Sequence, residues 1–296
     1  MPPKYSPPRR YASHWLIALL VLVGLAIAPL AGPAQAATPD LRAPLLLLGE
    51  VHDNAALHAL RLQALTRLVA GGARPALLME QFDRERQADI DRELQRAPDM
   101  APGDAEFNAT VEALVKLGST AGGGWQWDLY RPVLKLALQY RLPIVAANVS
   151  RAEARVVMQQ GLAATGWQAA VPADIARRQA EIIAASHCGQ LDAAASARMA
   201  LAQVARDQFM ARLVALHAGR GVVLLAGNGH VRADIGVPRW LSPGLRARTR
   251  AVGALEAGGA AHDNHAEDAS TYDSVLRTAA QLRADPCAGM QMPPRR

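Results

Sequence analysis

The chain has 296 residues, 51% hydrophobic and only 4% aromatic, so its core is built mainly from Ala, Leu and Val, and intrinsic disorder is excluded. The formal net charge is +6. Lys4, Arg9 and Arg10 are the only charged residues before Asp40, so without residues 1–36 the charge falls to +3. No lysine-rich patch with interleaved aromatics occurs, and nucleic acid is not an expected partner.

The basic start leads into an apolar run over 15–30, followed by "AGPAQAATPD". A basic n-region, an apolar stretch shorter than the roughly 20 residues of a membrane span, and Ala34-Gln35-Ala36 as an A-x-A site predict a secretory signal peptide cleaved near Ala36. No cysteine lies near that site, so a lipoprotein is not expected, and the mature chain belongs in the periplasm or outside the cell. The two cysteines, Cys188 and Cys287, would meet an oxidising compartment. A disulfide tying the tail to the body and a pair of free or metal-binding thiols both remain open, although no C-x-x-C spacing supports zinc.

In chain order, residues 44–49 read as a short buried strand. Residues 54–70 read as an amphipathic helix with Leu57, Leu60, Ala64, Leu65 and Leu68 on one side, capped by Asp53 or Asn54. "ALLME" (76–80) is a second strand, followed by polar helices at 83–96 and 104–117. "TAGGGWQW" is a glycine loop with two tryptophans. A helix at 130–140 precedes a third strand at 142–150, and helices follow at 151–160, 172–186 and 192–218. "GVVLLAGNGH" (221–230) supplies a fourth strand and 249–257 a fifth. "GGAAHDNHAEDAS" reads as a polar loop.

Continuously apolar strands separated by helices predict an α/β fold, a mainly parallel sheet covered by helices on both faces, with large helical insertions. There is no internal repeat. The expected organisation is a signal peptide (1–36), a single α/β domain (37–285) and a flexible tail (286–296).

The polar residues collect where strands end. Strand one leads to Glu50 and His52, strand two to Glu80, strand three to Asn148 and Ser150, strand four to Asn228 and His230. In a parallel sheet the carboxyl ends share one edge, where open α/β proteins place their ligand sites. A single Glu or His after a strand is ordinarily a solvated loop residue or a helix cap. Glu80 resists that reading, because its apolar neighbours imply burial and a buried carboxylate needs partners. Arg206 and Asp207 interrupt an apolar helix and can face either water or the same rim. His58 reads as structural or surface.

Two imidazoles and two carboxylates suit a divalent metal held by Glu50, His52, Glu80 and His230. Without metal, His52 beside Glu50 can act as a general base. Neither H-E-x-x-H nor G-x-S-x-G occurs. Haem is a third option and asks for an apolar pocket with an axial Tyr, His, Met or Cys. Tyr130, Tyr140 and Tyr272 are the tyrosines of the mature chain, while Met199 and Met210 fit core packing.

Five segments, "LLLLGEVHDNAALHALRLQAL", "ALLMEQFDRERQADID", "WQWDLYRPVLKLALQYRLPIVAANVSR", "RDQFMARL" and "LLAGNGHVRADIGVPRWL", resemble the ChaN-like haem-binding uptake proteins of the Tiki superfamily. The resemblance runs from about residue 44 to 241. It implies a secreted or surface protein that binds haem during iron acquisition, as a homodimer sandwiching the cofactor, alongside membrane-associated uptake machinery. If haem is the ligand, the residues expected to contact it are Tyr130, Asn148, Arg206, Asp207 and Asn228, with Tyr130 as axial ligand because "WQWDLY" places aromatics beside it. The wider superfamily also holds erythromycin-esterase-like hydrolases and Tiki metalloproteases. In those relatives the positions matching Glu50, His52, Glu80 and His230 carry hydrolysis, which is the alternative activity.

Overall fold

A computed structural model describes residues 41, 43–96, 101–119, 124–257, 268–285 and 287–288. The predicted signal peptide, residues 258–267 of the polar stretch and most of the tail lie outside the described residues.

Six strands form the sheet: β1 (Leu45–Leu48), β2 (Ala76–Asp83), β3 (Ile144–Asn148), β4 (Val222–Leu225), β5 (Thr249–Ala257) and β6 (Ser274–Ala279). They pair in the order β3-β2-β4-β1-β5-β6, and every pairing is parallel. β1 and β4 at the centre are apolar at every position because both of their faces are covered. Leu46, Leu48, Leu77, Met79, Val223 and Leu225 point into one core layer. The alternating Leu45, Leu47, Ala76, Leu78, Val222 and Leu224 point into the other, as the two-residue period of a strand requires.

Helices α1 (Ala55–Ala70), α2 (Gln87–Gln95), α3 (Ala105–Ser119) and α4 (Trp127–Gln139) give Leu57, Leu65, Ile90, Phe107, Leu114 and Leu134 to the first layer. The second layer is closed by Met210, Ala211 and Val214 of the long helix α7 (Ala193–His217). Helices α5 (Arg151–Gln160) and α6 (Ala173–Ser186) pack on α7 through a small cluster around Val157, Ile175 and Val204.

Four elements differ from the sequence reading. β2 continues to Asp83, with a register irregularity against β3 between Met79 and Asp83, so Glu80 and Gln81 are buried inside the strand. "GNGH" is not strand: β4 stops at Leu225, and Asn228–Val231 form one helical turn, α8. α4 begins at Trp127, which is buried in the helix, leaving Trp125 as the loop tryptophan. β6 went unpredicted because it is an edge strand in which only Leu276 is buried, so its sequence lacks the apolar run of the central strands.

Two links hold the chain after β6. Arg283 grips Asp53 through Nε and its second terminal nitrogen, 2.7 Å each, and Glu256 at 2.7 and 2.9 Å. Cys188, just past α6, forms a disulfide with Cys287 at a Cα separation of 5.8 Å. The bond spans 99 residues, and chain-entropy arguments give a closure of that length about 4–5 kcal/mol of stabilisation.

Candidate functional site

β1 and β4 are neighbours, but the chain leaves them in opposite directions. From β1 it enters α1 on the first face, and from β4 it enters α8 and the stretch through Val237 and Leu241 on the second. Such a switch point is where doubly wound sheets bind ligands, outside the carboxyl ends of the strands. The two departing loops are in close contact. The Asn228 N–H donates to the Glu50 carbonyl at 3.2 Å, while Gly49 is tied to β5, donating its N–H to the Val252 carbonyl at 2.8 Å. A Cβ on Gly49 would lie 2.2 Å from Asn228 Oδ1, so only glycine fits. On Gly227 it would lie 3.2 Å from His52 Cε1 and 3.7 Å from Glu80 Oε2. His52 and Glu80 therefore converge on one point, and Glu80 in turn reaches His230.

The site contains two imidazole–carboxylate pairs. In the first, Glu50 is buried and accepts hydrogen bonds from His52 Nδ1 at 2.6 Å, the Tyr130 hydroxyl at 2.6 Å, Gln81 at 3.2 Å and Arg61. Burial opposes its charge, but Arg61, His52 and His58 hold its carboxyl well below the usual carboxylate range. Donation to a carboxylate fixes the proton of His52 on Nδ1. The side chain is 53% exposed, and Nε2 has no hydrogen-bond partner among the described residues. Burial of part of the ring opposes the charged form, but Glu50 and, more weakly, Glu80 raise the pKa of His52. Trp125 meets the ring edge-on, with centroids 4.7 Å apart, and His58 braces the loop through a 3.1 Å contact to the His52 carbonyl.

The second pair is closed. His230 is buried, with Asp207 Oδ1 2.6 Å from Nδ1 and Glu80 Oε1 3.5 Å from Nε2. Glu80 also accepts the Gly227 N–H at 2.7 Å. Burial penalises the His230 cation, yet the two carboxylates push its pKa up to about 10. Glu80 responds in the opposite sense: burial raises it, but His230 and His52 bring it down to about 2. Burial dominates at Asp207, raised to about 6 despite His230. The proton therefore stays on His230, whose two nitrogens are both committed to carboxylates. Glu50, Glu80 and Asp207 outweigh Arg61 and His230 by one charge, so the site is net negative while His52 is neutral.

This geometry corrects two expectations. Glu50, His52, Glu80 and His230 do not make a metal-ligating group, since no set of three or more such side chains is arranged to hold an ion among the described residues. Glu50 accepts from four donors, and each nitrogen of His230 faces a carboxylate. Tyr130 is unsuited to be an axial ligand. It is 1% exposed and its hydroxyl is committed to Glu50. Burial, then the Glu50 charge, push the phenol far above its ordinary pKa, whereas an iron ligand must be the phenolate.

The remaining candidates fall into three places. Asp207 faces the rim and is fully buried against His230. Asn228 clasps β5, donating to the Ala254 carbonyl at 2.7 Å and accepting its N–H at 2.9 Å, a structural role. Asn148 and Arg206 form a separate group at the end of β3: Asn148 donates to Asp83 at 2.9 Å and accepts from Arg206 Nε at 3.0 Å. Arg61 and Gln81 were missed by the sequence reading. Arg61 had a usable signal, because it lies four residues from both Leu57 and Leu65 on the apolar face of α1 and so must enter the interior. Asn54, not Asp53, caps α1, accepting from the Leu57 N–H at 2.9 Å.

The protein family described as haem-binding uptake, Tiki superfamily, ChaN matches residues 41–241. The chain belongs to this family. Its fold is that of the ChaN of Campylobacter jejuni, whose structure reports cofacial haem binding in that protein. The two are 21% identical with a TM-score of 0.60, covering 79% of this chain and 87% of the other. A type III effector, HopBA1, is 12% identical over 73% of this chain and 79% of its own, with a TM-score of 0.36. No curated protein matches the chain.

Proposed function

We propose that this ChaN-family chain binds haem as cargo for iron uptake, in the periplasm after removal of residues 1–36, and that His52 is its iron ligand. The observation that carries this reading is the open Nε2 of a half-exposed imidazole whose other nitrogen is fixed by a buried carboxylate. Carboxylate–histidine pairs of this kind orient metal-ligating imidazoles and raise their basicity. Trp125 offers an aromatic neighbour for the macrocycle, and the excess negative charge of the buried groups favours the cationic core of a ferric porphyrin. The haem supplies the iron; the protein supplies an oriented lone pair and an apolar edge. The Cys188–Cys287 disulfide suits an oxidising compartment. Two such chains facing each other would enclose the cargo as a homodimer, the form able to hand it to membrane-associated machinery.

A hemin titration of the mature protein, read by its Soret band, tests the reading. A shift at micromolar hemin that is lost in His52→Ala is expected. No shift in the unaltered protein overturns haem binding, and a shift unchanged in His52→Ala overturns the ligand assignment.

A second reading rests on the 2.6 Å Glu50–His52 pair alone. An imidazole so oriented is also a general base able to activate water for hydrolysis. It is the weaker reading because both His230 nitrogens are engaged by carboxylates, leaving no imidazolium N–H free to stabilise an oxyanion. Turnover of a carboxylic ester panel that disappears in His52→Ala would favour it.

A further inference from the structure

Charge is divided between the two edges of the sheet. The carboxyl edge gathers the acids Glu50, Glu80 and Asp207. At the amino edge, the loops that enter β2, β4 and β5 (71–75, 218–221 and 242–248) contain Arg74, Arg220, Arg246 and Arg248 and no acid. All four arginines are exposed, and none has a carboxylate partner among the described residues. The bonds they do make are to backbone carbonyls. Arg74 reaches those of Val69 and Ala73 at 2.8 Å each, and Arg248 that of Ala218 at 3.4 Å. Such bonds aim a guanidinium without cancelling its charge.

The ladder aligns these loops. The Ala76 N–H donates to the Gly221 carbonyl at 2.9 Å, and Leu45 is in register with both Val222 and Thr249. Arg74, Arg220 and Arg248 therefore stand in one row from β2 to β5, three interstrand spacings or about 14 Å wide. α7 ends at the same edge, because β4 begins just after its last turn. That turn carries Leu216, which is 73% exposed, and Arg212 one turn earlier is exposed as well. The loops themselves, "GGARP", "AGRG" and "SPGLRAR", hold no aromatic residue of the kind that centres a protein–protein interface.

We propose that the amino edge of the sheet docks on an anionic phospholipid bilayer, with Arg74, Arg220, Arg246 and Arg248 on the lipid phosphates and Leu216 in the boundary between headgroups and acyl chains. The planar donors of arginine suit phosphate oxygens. Each basic side chain held near an anionic bilayer adds to the attraction, and an exposed leucine among cations gains by entering the interface. A straight sheet edge presents its row of cations to a plane, and the His52 rim then faces away from the membrane. A second copy of the chain is not the partner, because the rim acids that would complement the arginines are buried in ion pairs of their own.

The test is sedimentation of the mature protein with vesicles of phosphatidylcholine alone, and of phosphatidylcholine with an equal part of phosphatidylglycerol, at near-physiological salt. The unaltered protein should partition onto the anionic vesicles and stay in solution with the neutral ones. Arg220→Gln and Arg248→Gln should each weaken that partitioning about fivefold, as expected for one basic side chain at an anionic surface. Leu216→Ser should weaken it as well. Arg198→Gln, the same change of charge at an exposed position near the other end of α7, should alter it little. Equal binding to both kinds of vesicle, binding to neither, or an equal loss in Arg198→Gln overturns the assignment. So does competition by inorganic phosphate or polyglutamate beyond that of chloride at the same ionic strength, which would mark a discrete phosphate site or an acidic protein as the partner. No hemin enters the measurement, so its outcome is independent of the haem reading.

Discussion

The two imidazole–carboxylate pairs use the same chemistry to opposite ends. His230 is buried with an acid on each nitrogen, so it is a cation held between two carboxylates with neither nitrogen open at the surface. His52 has one nitrogen on a buried acid and the other open at the surface, so it is oriented yet unspent. The difference lies in position. α8 turns His230 inward between β2 and α7, whereas the loop after β1 holds His52 at the rim beside Trp125. A histidine's use is thus decided by its second nitrogen, which the sequence motif does not specify.

The comparison can be broken from the buried side first. Asp207→Ala leaves the His230 cation with one acid instead of two and should lower stability by about 3–5 kcal/mol, the usual cost of breaking a buried ion pair. Urea unfolding measures it, and a cost under about 1 kcal/mol would mean that the second pair is not locked.

The pH dependence should follow from the same pair. His230 is raised above its ordinary 6.5, so its contribution is complete below 6.5 and is lost as pH rises towards about 10. Glu80 is lowered from 4.5, so its contribution is present above 4.5 and is lost as pH falls towards about 2. Asp207 is raised from 3.8, so it favours the folded state most at low pH and loses that contribution as pH rises from 3.8 to about 6, above which its burial penalty stays constant. Thermal midpoints taken across this range should fall at both ends, and His230→Gln should flatten the alkaline fall.

Glu50→Gln acts on the first pair. It keeps the shape but removes the charge facing buried Arg61, and should cost about 1–3 kcal/mol. It should also weaken hemin binding roughly 10- to 100-fold, the usual penalty for losing a partner that orients a metal-ligating histidine. Calorimetry of unfolding and a hemin titration on one preparation separate the two effects. The smallest stability effect is expected for His52→Ala, within about 0.5–1 kcal/mol because the ring is half exposed. A large loss of stability there would place His52 on the structural side of the comparison.

Much of this was legible in the sequence. Four runs such as "LLLL" and "VVLL" could only be strands covered on both faces, and their ends brought Glu50, His52, Glu80 and His230 to one rim. The division of labour between the histidines was not legible. It depends on Asp207 arriving from α7 and on Arg61 and Tyr130 arriving from α1 and α4, contacts between residues far apart in the chain. Tyr130 misled for the same reason: an aromatic neighbourhood signals a pocket equally well whether the phenol points out of it or into a buried carboxylate. β6 was invisible because an edge strand has no second neighbour and carries polar residues.

Nitrogen-detected NMR of the two imidazoles at about pH 8 tests the central asymmetry most directly. His230 should carry protons on both ring nitrogens there, since its pKa is pushed up to about 10, while His52, at a pH high enough to leave it neutral, should keep its proton on Nδ1 and leave Nε2 bare. A His230 ring that is neutral at that pH, or a His52 whose bare nitrogen is Nδ1, would contradict the account.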